Sequence, residues 1–263
     1  MRDRGDTYHV SGRERFDELD AARGIAIVMM ILFHTLFDLA YFDLWPVNVS
    51  SGFWRYFVFA TGTLFLLVAG VSLSVSHSRA LRVFVGDNRP QAGIVAKYLW
   101  RGTGIFACGM LVTLATWIVV PESFIVFGIL HLIGVSIMLS PFFFRFREKN
   151  ISIGALVVAA GFAIWIAGIT GPYWLLWIGL HPSSFTTLDY YPVLPWTGVV
   201  LIGLGLGERI YPEGERTFAA PRIPKPAMVP LVFLGRHSLV IYLAHQPVIL
   251  ALLALLSGTL LFW

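Results

Sequence analysis

Residues 24–44 read GIAIVMMILFHTLFDLAYFDL. The run is 21 residues long and carries no Lys or Arg. About 20 helical residues cross a hydrocarbon core of about 30 Å. No alternation of polar and apolar positions runs through it, so it reads as a membrane helix and not as a barrel strand. Working outward, six more apolar runs follow at 54–76, 98–119, 125–144, 151–170, 191–207 and 238–262. A further run, 173–180, is too short to cross and reads as an interfacial or re-entrant segment with Trp174 and Trp177 at headgroup level. The expected fold is all-α: a polytopic membrane helix bundle of about seven transmembrane helices.

The whole chain agrees. Of 263 residues 57% are apolar and 13% charged, and the mean hydropathy is +0.76. A soluble domain carries about 25% charged residues, and this chain has too few to cover a core of its size. Basic residues orient the bundle. With the N-terminus inside, the N-terminal tail and segments 77–101, 145–149 and 208–237 hold 18 of the 19 Lys and Arg residues, and only Arg55 lies outside. That asymmetry predicts the N-terminus in the cytoplasm and the C-terminus outside. It also assigns the net charge of +4 to orientation, so no nucleic-acid partner is expected.

Residues 1–20 read as a polar cytoplasmic tail and 21–263 as one membrane domain. The first 20 residues are polar and mixed in charge, so the first span is expected to be an uncleaved signal anchor. Residues 77–97 read as a loop, and 208–230 as a Pro-, Glu- and Arg-rich linker before the last span. The lone Cys108 reads as packing. The sequon Asn48-Val49-Ser50 carries little weight. No internal repeat is present, which counts against a transporter of the inverted-repeat type.

Ionisable groups inside spans are costly and mark candidate functional sites. His34 lies 11 residues past Arg23, roughly 16 Å along a helix. His245 is nine residues past Arg236, and His131 is nine past Glu122 on the other side. All three are therefore expected near the midplane, around a shared polar cavity. The plainer alternative is that each bonds a neighbouring helix. Asp38, at i+4 from His34, shares its face and is expected to orient the imidazole; its alternative is a wet loop carboxylate. Asp189, beside Tyr190 and Tyr191, lines the outer mouth of the cavity or caps a helix. Arg23, Lys97, Arg101, Arg236 and His237 sit at cytoplasmic span ends, as headgroup anchors or as a cationic mouth for a phosphorylated substrate.

Leu19-Asp20-Ala21-Ala22-Arg23-Gly24-Ile25-Ala26 and the apolar run to His34 resemble the first helix of acyltransferase-3 proteins, which carry Arg, ten residues, then His at this place. The stretches 65–72 (FLLVAGVS), 127–134 (FGILHLIG), 194–198 (LPWTG) and 234–247 (LGRHSLVIYLAHQP) resemble small prokaryotic members of the heparan-alpha-glucosaminide N-acetyltransferase catalytic-domain family. This resemblance covers roughly residues 16–250. It implies a membrane acyltransferase that moves an acetyl or similar group from cytoplasmic acyl-CoA to a glycan, lipid or other envelope acceptor at the cell membrane. Acyl-CoA is then the donor substrate, Arg23, Arg101 and Arg236 its binding groups, and no metal is expected. The animal lysosomal enzyme of the family places its catalytic histidine in the first lumenal loop. That loop here, about 40–53, holds none, so the catalytic assignment falls on His34 with Asp38. His131, His245 and Asp189 are then cavity residues. Acyl-histidine and general-base mechanisms both fit, and oligomerisation stays open. Two rivals are a haem-binding electron-transfer protein, with membrane histidines as axial ligands, and a non-catalytic sugar or lipid carrier.

Overall fold

Apolar runs this long satisfy their backbone groups within lipid only as helices or closed barrels, and the chain takes helices. The computed structural model describes residues 15–86, 92–219 and 224–258. Eight α-helices lie among them: α1 Asp17–Tyr41, α2 Gly52–Gly86, α3 Ala92–Val119, α4 Ile129–Phe143, α5 Asn150–Ile166, α6 Val193–Ile210, α7 Lys225–Arg236 and α8 Ser238–Ser257. No strand occurs among the described residues; a lone bridge joins Phe127 and Tyr190. Arg2, Arg4, Arg13, Arg89, Arg222 and the end of the last expected span, from 259, lie outside them.

Among the described residues six stretches are long and apolar enough to cross a membrane: Asp17–Tyr41, Gly52–Val83, Gly93–Val119, Ile129–Ile166, Val193–Ile210 and Ser238–Ser257. The sequence predicts seven because it separates the fourth into two. That stretch is 38 residues long, roughly 57 Å as one straight helix, and it does break. Residues 144–149 form a 3-10 turn in which Arg147 takes φ 48°. Asn150 closes the turn, donating from Nδ2 to the carbonyls of Phe143 (2.9 Å) and Arg147 (2.8 Å). α4 then packs on α3, and α5 on α6.

Two loop expectations are corrected. The segment from 77 does not leave the helix: α2 continues to Gly86. The linker expected over 208–230 runs into α7, which starts at Lys225 and is a helix despite Pro226 and Pro230. Pro226 stands in its first turn, where a missing N–H costs nothing. The short run after 170 forms a 3-10 turn, Tyr173–Leu175, with Trp174 and Trp177 exposed.

Small residues let these helices touch. A Cβ built on Gly70 would sit on the carbonyl of Val200, and one on Gly203 on that of Leu67, so α2 and α6 meet backbone to backbone. Gly24 and Gly235 do the same for α1 and α7 against Leu231 and Asp20. Membrane helices associate by such close approach, since lipid gives no hydrophobic drive between them. The central core gathers Leu66, Tyr98, Leu132 and Leu204, all 2% exposed or less.

Candidate functional site

Arginines that mark span ends in sequence meet on one cleft. α1, α2, α3, α4, α6, α7 and α8 enclose about 830 Å³. Arg15, Arg23, Arg79, Lys97, Arg101 and Arg236 line one end, with Asp20 as the lone carboxylate among the lining residues. Arg23 donates to Asp20 Oδ1 (3.0 Å), to Ser72 Oγ (2.8 Å) and to the Gly235 carbonyl (3.5 Å). Arg236 donates from Nε to Asp20 Oδ2 (3.3 Å) and from Nη2 to Asp17 (2.9 Å). One carboxylate thus fixes two arginines from different helices, and each guanidinium keeps N–H groups to offer. Arg101 is exposed and makes no hydrogen bond or ion pair among the described residues. Deeper in, the walls turn apolar, except for the buried Ser136, whose Oγ has no partner, and Tyr242 at the far end.

Beyond Tyr242 lies a second cluster. His34 of α1 and His245 of α8 touch ring to ring, with centroids 4.9 Å apart and planes at 62°. His245 Nδ1 lies 2.5 Å from the Tyr242 carbonyl. A carbonyl only accepts, so Nδ1 carries the proton, and in the neutral ring Nε2 keeps a lone pair. That Nε2 is buried and unpartnered. The close edge contact leaves no room for a macrocycle between the two imidazoles, which bis-histidine haem ligation requires.

Asp38 is 3% exposed, so it is no wet loop carboxylate. Its partner differs from expectation. Gln246 Nε2 of α8 donates to both carboxylate oxygens at 2.8 Å, and no hydrogen bond joins Asp38 to His34. Asp38 therefore ties α1 to α8 beside the histidines. The Gln246 amide oxygen is buried without a partner.

The structure brings together two of the three histidines. His131 stands apart, 1% exposed, between Phe106 and Phe127. Its Nδ1 accepts from the Gly128 N–H at 3.2 Å, capping α4. Thr113 Oγ1 gives its hydrogen to the Ile125 carbonyl (2.7 Å), so the 3.3 Å contact with His131 Nε2 has the imidazole donating. Both ring nitrogens are engaged, as in the plainer reading, and His131 is not among the residues that line the cleft.

Asp189 also caps. Two paired segments, with Tyr191 N–H to the Phe127 carbonyl and Leu188 N–H to the Ser123 carbonyl at 2.9 Å each, bring it to the start of α4. There Oδ2 accepts from the Ile129 N–H at 3.2 Å. Burial pushes this carboxyl up to about 6, against the pull of the Ile129 and Tyr190 amides. Burial, and then the nearby Asp189 charge, push the Tyr191 phenol up as well.

Sequence reasoning overlooked Asp20, Ser136, Tyr242 and Gln246. Three of these four stand in or beside spans as uncharged polar residues, and a search for ionisable groups alone passes over Ser and Gln. Asp20 was visible four residues before the first expected span, but nothing in the sequence showed that α7 would return to meet it.

Comparison with known families matches residues 15–247 to the family described as heparan-alpha-glucosaminide N-acetyltransferase, catalytic. No curated protein matches the chain, and no solved structure does. With 15–247 spanning nearly all the described helices, the cleft and the histidine pair, the chain belongs to the heparan-alpha-glucosaminide N-acetyltransferase catalytic family, a family of membrane acetyltransferases.

Proposed function

We propose that the protein is an acyl-CoA-dependent acyltransferase of the cell membrane, taking an acetyl or similar group to a glycan or lipid acceptor of the envelope. One observation carries this reading. A cleft with six cations at one end closes at Tyr242, whose carbonyl holds His245 against His34. Phosphates favour the charged end, where arginine grips them in pairs. Tyr242 lies six residues past Arg236, about 9 Å by helical rise, and His34 eleven past Arg23, about 16 Å, a reach suited to a long, thin donor arm.

In this reading Arg23, Arg101 and Arg236 hold the donor's phosphates, and Asp20 sets the first and third of them. His34 takes the proton of the attacking hydroxyl or amine, or carries the acyl group itself. A general base contributes typically 10²–10⁴-fold. His245 keeps its unprotonated Nε2 buried and free of a partner, and Asp38 with Gln246 holds α1 to α8 so that the two rings keep contact.

The same reading includes seven crossings, with the N-terminus and the basic cleft end inside. Arg82 donates to the Glu213 carbonyl at 2.7 Å, and Arg147 pairs with Glu208 at 3.2 Å. These contacts support one shared end for α2, the 144–149 turn and the segment after α6. A turn at that end makes α4 and α5 two antiparallel crossings.

The test is acetyl-CoA turnover by purified protein with an envelope extract as acceptor, read as free thiol. His34→Ala is expected to lose 10²–10⁴-fold while acetyl-CoA still binds in calorimetry. Near-parent transfer by His34→Ala beside a dead His245→Ala would move the catalytic centre to α8. A parent protein that neither binds nor turns over acetyl-CoA would end the acyltransferase reading.

A further inference from the structure

We propose that Tyr242 is a catalytic residue, donating a hydrogen bond from its phenolic O–H to the thioester carbonyl oxygen during transfer. This rests on the acyl-CoA reading above and adds a residue to it. The direction of each helix sets the depth of its cleft residues. α8 starts at Ser238, two residues past Arg236 of the basic end, and runs inward through Leu239 to Tyr242. α3 runs inward from Lys97 and Arg101 to Ile105, while α2 and α4 arrive from the other side with Phe65, Ile129 and Leu130. The deep end is therefore walled by Phe65, Ile105, Ile129, Leu130 and Val200, and Tyr242 brings a phenol to it, with Asp189 and Tyr191 close enough to act on that group electrostatically.

A tyrosine in such surroundings normally gives its O–H to a partner. The Tyr242 hydroxyl has none among the described residues, although the side chain lines the cleft. The same residue touches the histidine pair. Its carbonyl accepts from His245 Nδ1 at 2.5 Å, and its ring lies 5.5 Å from the His245 ring. A donor arm anchored by phosphates at the basic end brings its thioester to the one residue that belongs to both cleft and cluster.

The step balances without another reactant. The acceptor oxygen or nitrogen attacks the thioester carbonyl carbon, a C–O or C–N bond forms, and the carbonyl π pair moves to oxygen. His34 receives the acceptor's proton. Tyr242 hydrogen-bonds the oxyanion and keeps its own proton. The pair then returns, the C–S bond breaks, and the thiolate leaves with the proton from the imidazolium. A donor aimed at developing negative charge in a dry site strengthens as the charge grows.

Tyr242→Phe keeps the ring, the backbone carbonyl and the wall, and removes only the hydroxyl. With acetyl-CoA as donor, kcat is expected to fall about 10²–10³-fold, the loss typical of one missing oxyanion donor. Coenzyme A affinity by calorimetry and the melting temperature are expected to match the parent. A variant with parent kcat overturns the assignment, and so does one whose loss lies entirely in coenzyme A affinity, which would make Tyr242 a wall of the cleft. Should Tyr242→Phe fail to fold, 3-fluorotyrosine at the same position replaces it: an oxyanion donor shifts kcat with the changed acidity, and an unmoved kcat overturns the role. A parent without acetyl-CoA turnover removes the acyl-CoA reading and this role together, whereas an active parent beside an equally active Tyr242→Phe removes this role alone.

Discussion

Asp20→Asn tests whether the two cleft arginines are held by one carboxylate. Asp20 accepts from Arg23 at 3.0 Å and from Arg236 at 3.3 Å, and its side chain is 9% exposed. Asparagine keeps one oxygen and turns an NH2 toward the other guanidinium, so one arginine loses its acceptor and meets a donor. A hydrogen bond to a charged group contributes about 1.5–3 kcal/mol net. The Arg236 side chain is 42% exposed, which puts that arm nearer the 0–1 kcal/mol or so of surface pairs. The expected loss is therefore about 1–3 kcal/mol, a fall in Tm of roughly 2–10 °C. The contact is hard to reseat, because Gly24 and Gly235 already hold the α1 and α7 backbones together. The assay is thermal unfolding of detergent-purified parent, Asp20→Asn, Arg236→Gln and the double variant. If Asp20 is the shared anchor, Arg236→Gln costs less in the Asp20→Asn background than in the parent, as expected for coupled neighbours. Acetyl-CoA affinity is expected to drop in Asp20→Asn, since six cations already surround the cleft end and fixed geometry matters more there than one further positive charge. A variant that melts with the parent, or binds acetyl-CoA more tightly, refutes the reasoning.

Asp189 gives a pH prediction. Burial raises its carboxyl to about 6 from an ordinary value near 3.8, so the folded state binds more protons than the unfolded one between those values. Stability then falls as pH rises from about 4 to 6, and a penalty of about 3 kcal/mol stands above pH 6. Asp189→Asn should flatten the melting profile over that window, and parallel profiles for variant and parent would contradict the assignment. For orientation, a reporter fused after Trp263, outside the described residues, is expected outside the cell, and one inserted within 212–226 inside; both on one side would rule out seven crossings.

The sequence by itself determined the lipid-soluble helical bundle, because helix length and the absence of charge are local properties set by bilayer thickness. It also determined which ends carry the arginines, since Arg23, Arg101 and Arg236 flank apolar runs that any reader of hydropathy finds. The family resemblance was legible in Arg23, His34 and the stretch around His245. Partnerships across helices were not. Depth along a helix is fixed by counting residues, and it placed His34, His131 and His245 at a similar level. Rotation about the axis and the choice of neighbour depend on packing. Tertiary structure therefore decided that His34 meets His245 while His131 turns to Thr113 and Gly128, that Asp38 binds Gln246 and not His34, and that Asp189 caps α4. It also made a helix of 225–236, where two prolines and a polar approach read as a linker. The physical reason is the glycine contact between α1 and α7, a backbone-to-backbone fit that no pattern of side chains announces and that brings Arg236 to Asp20 and Arg23.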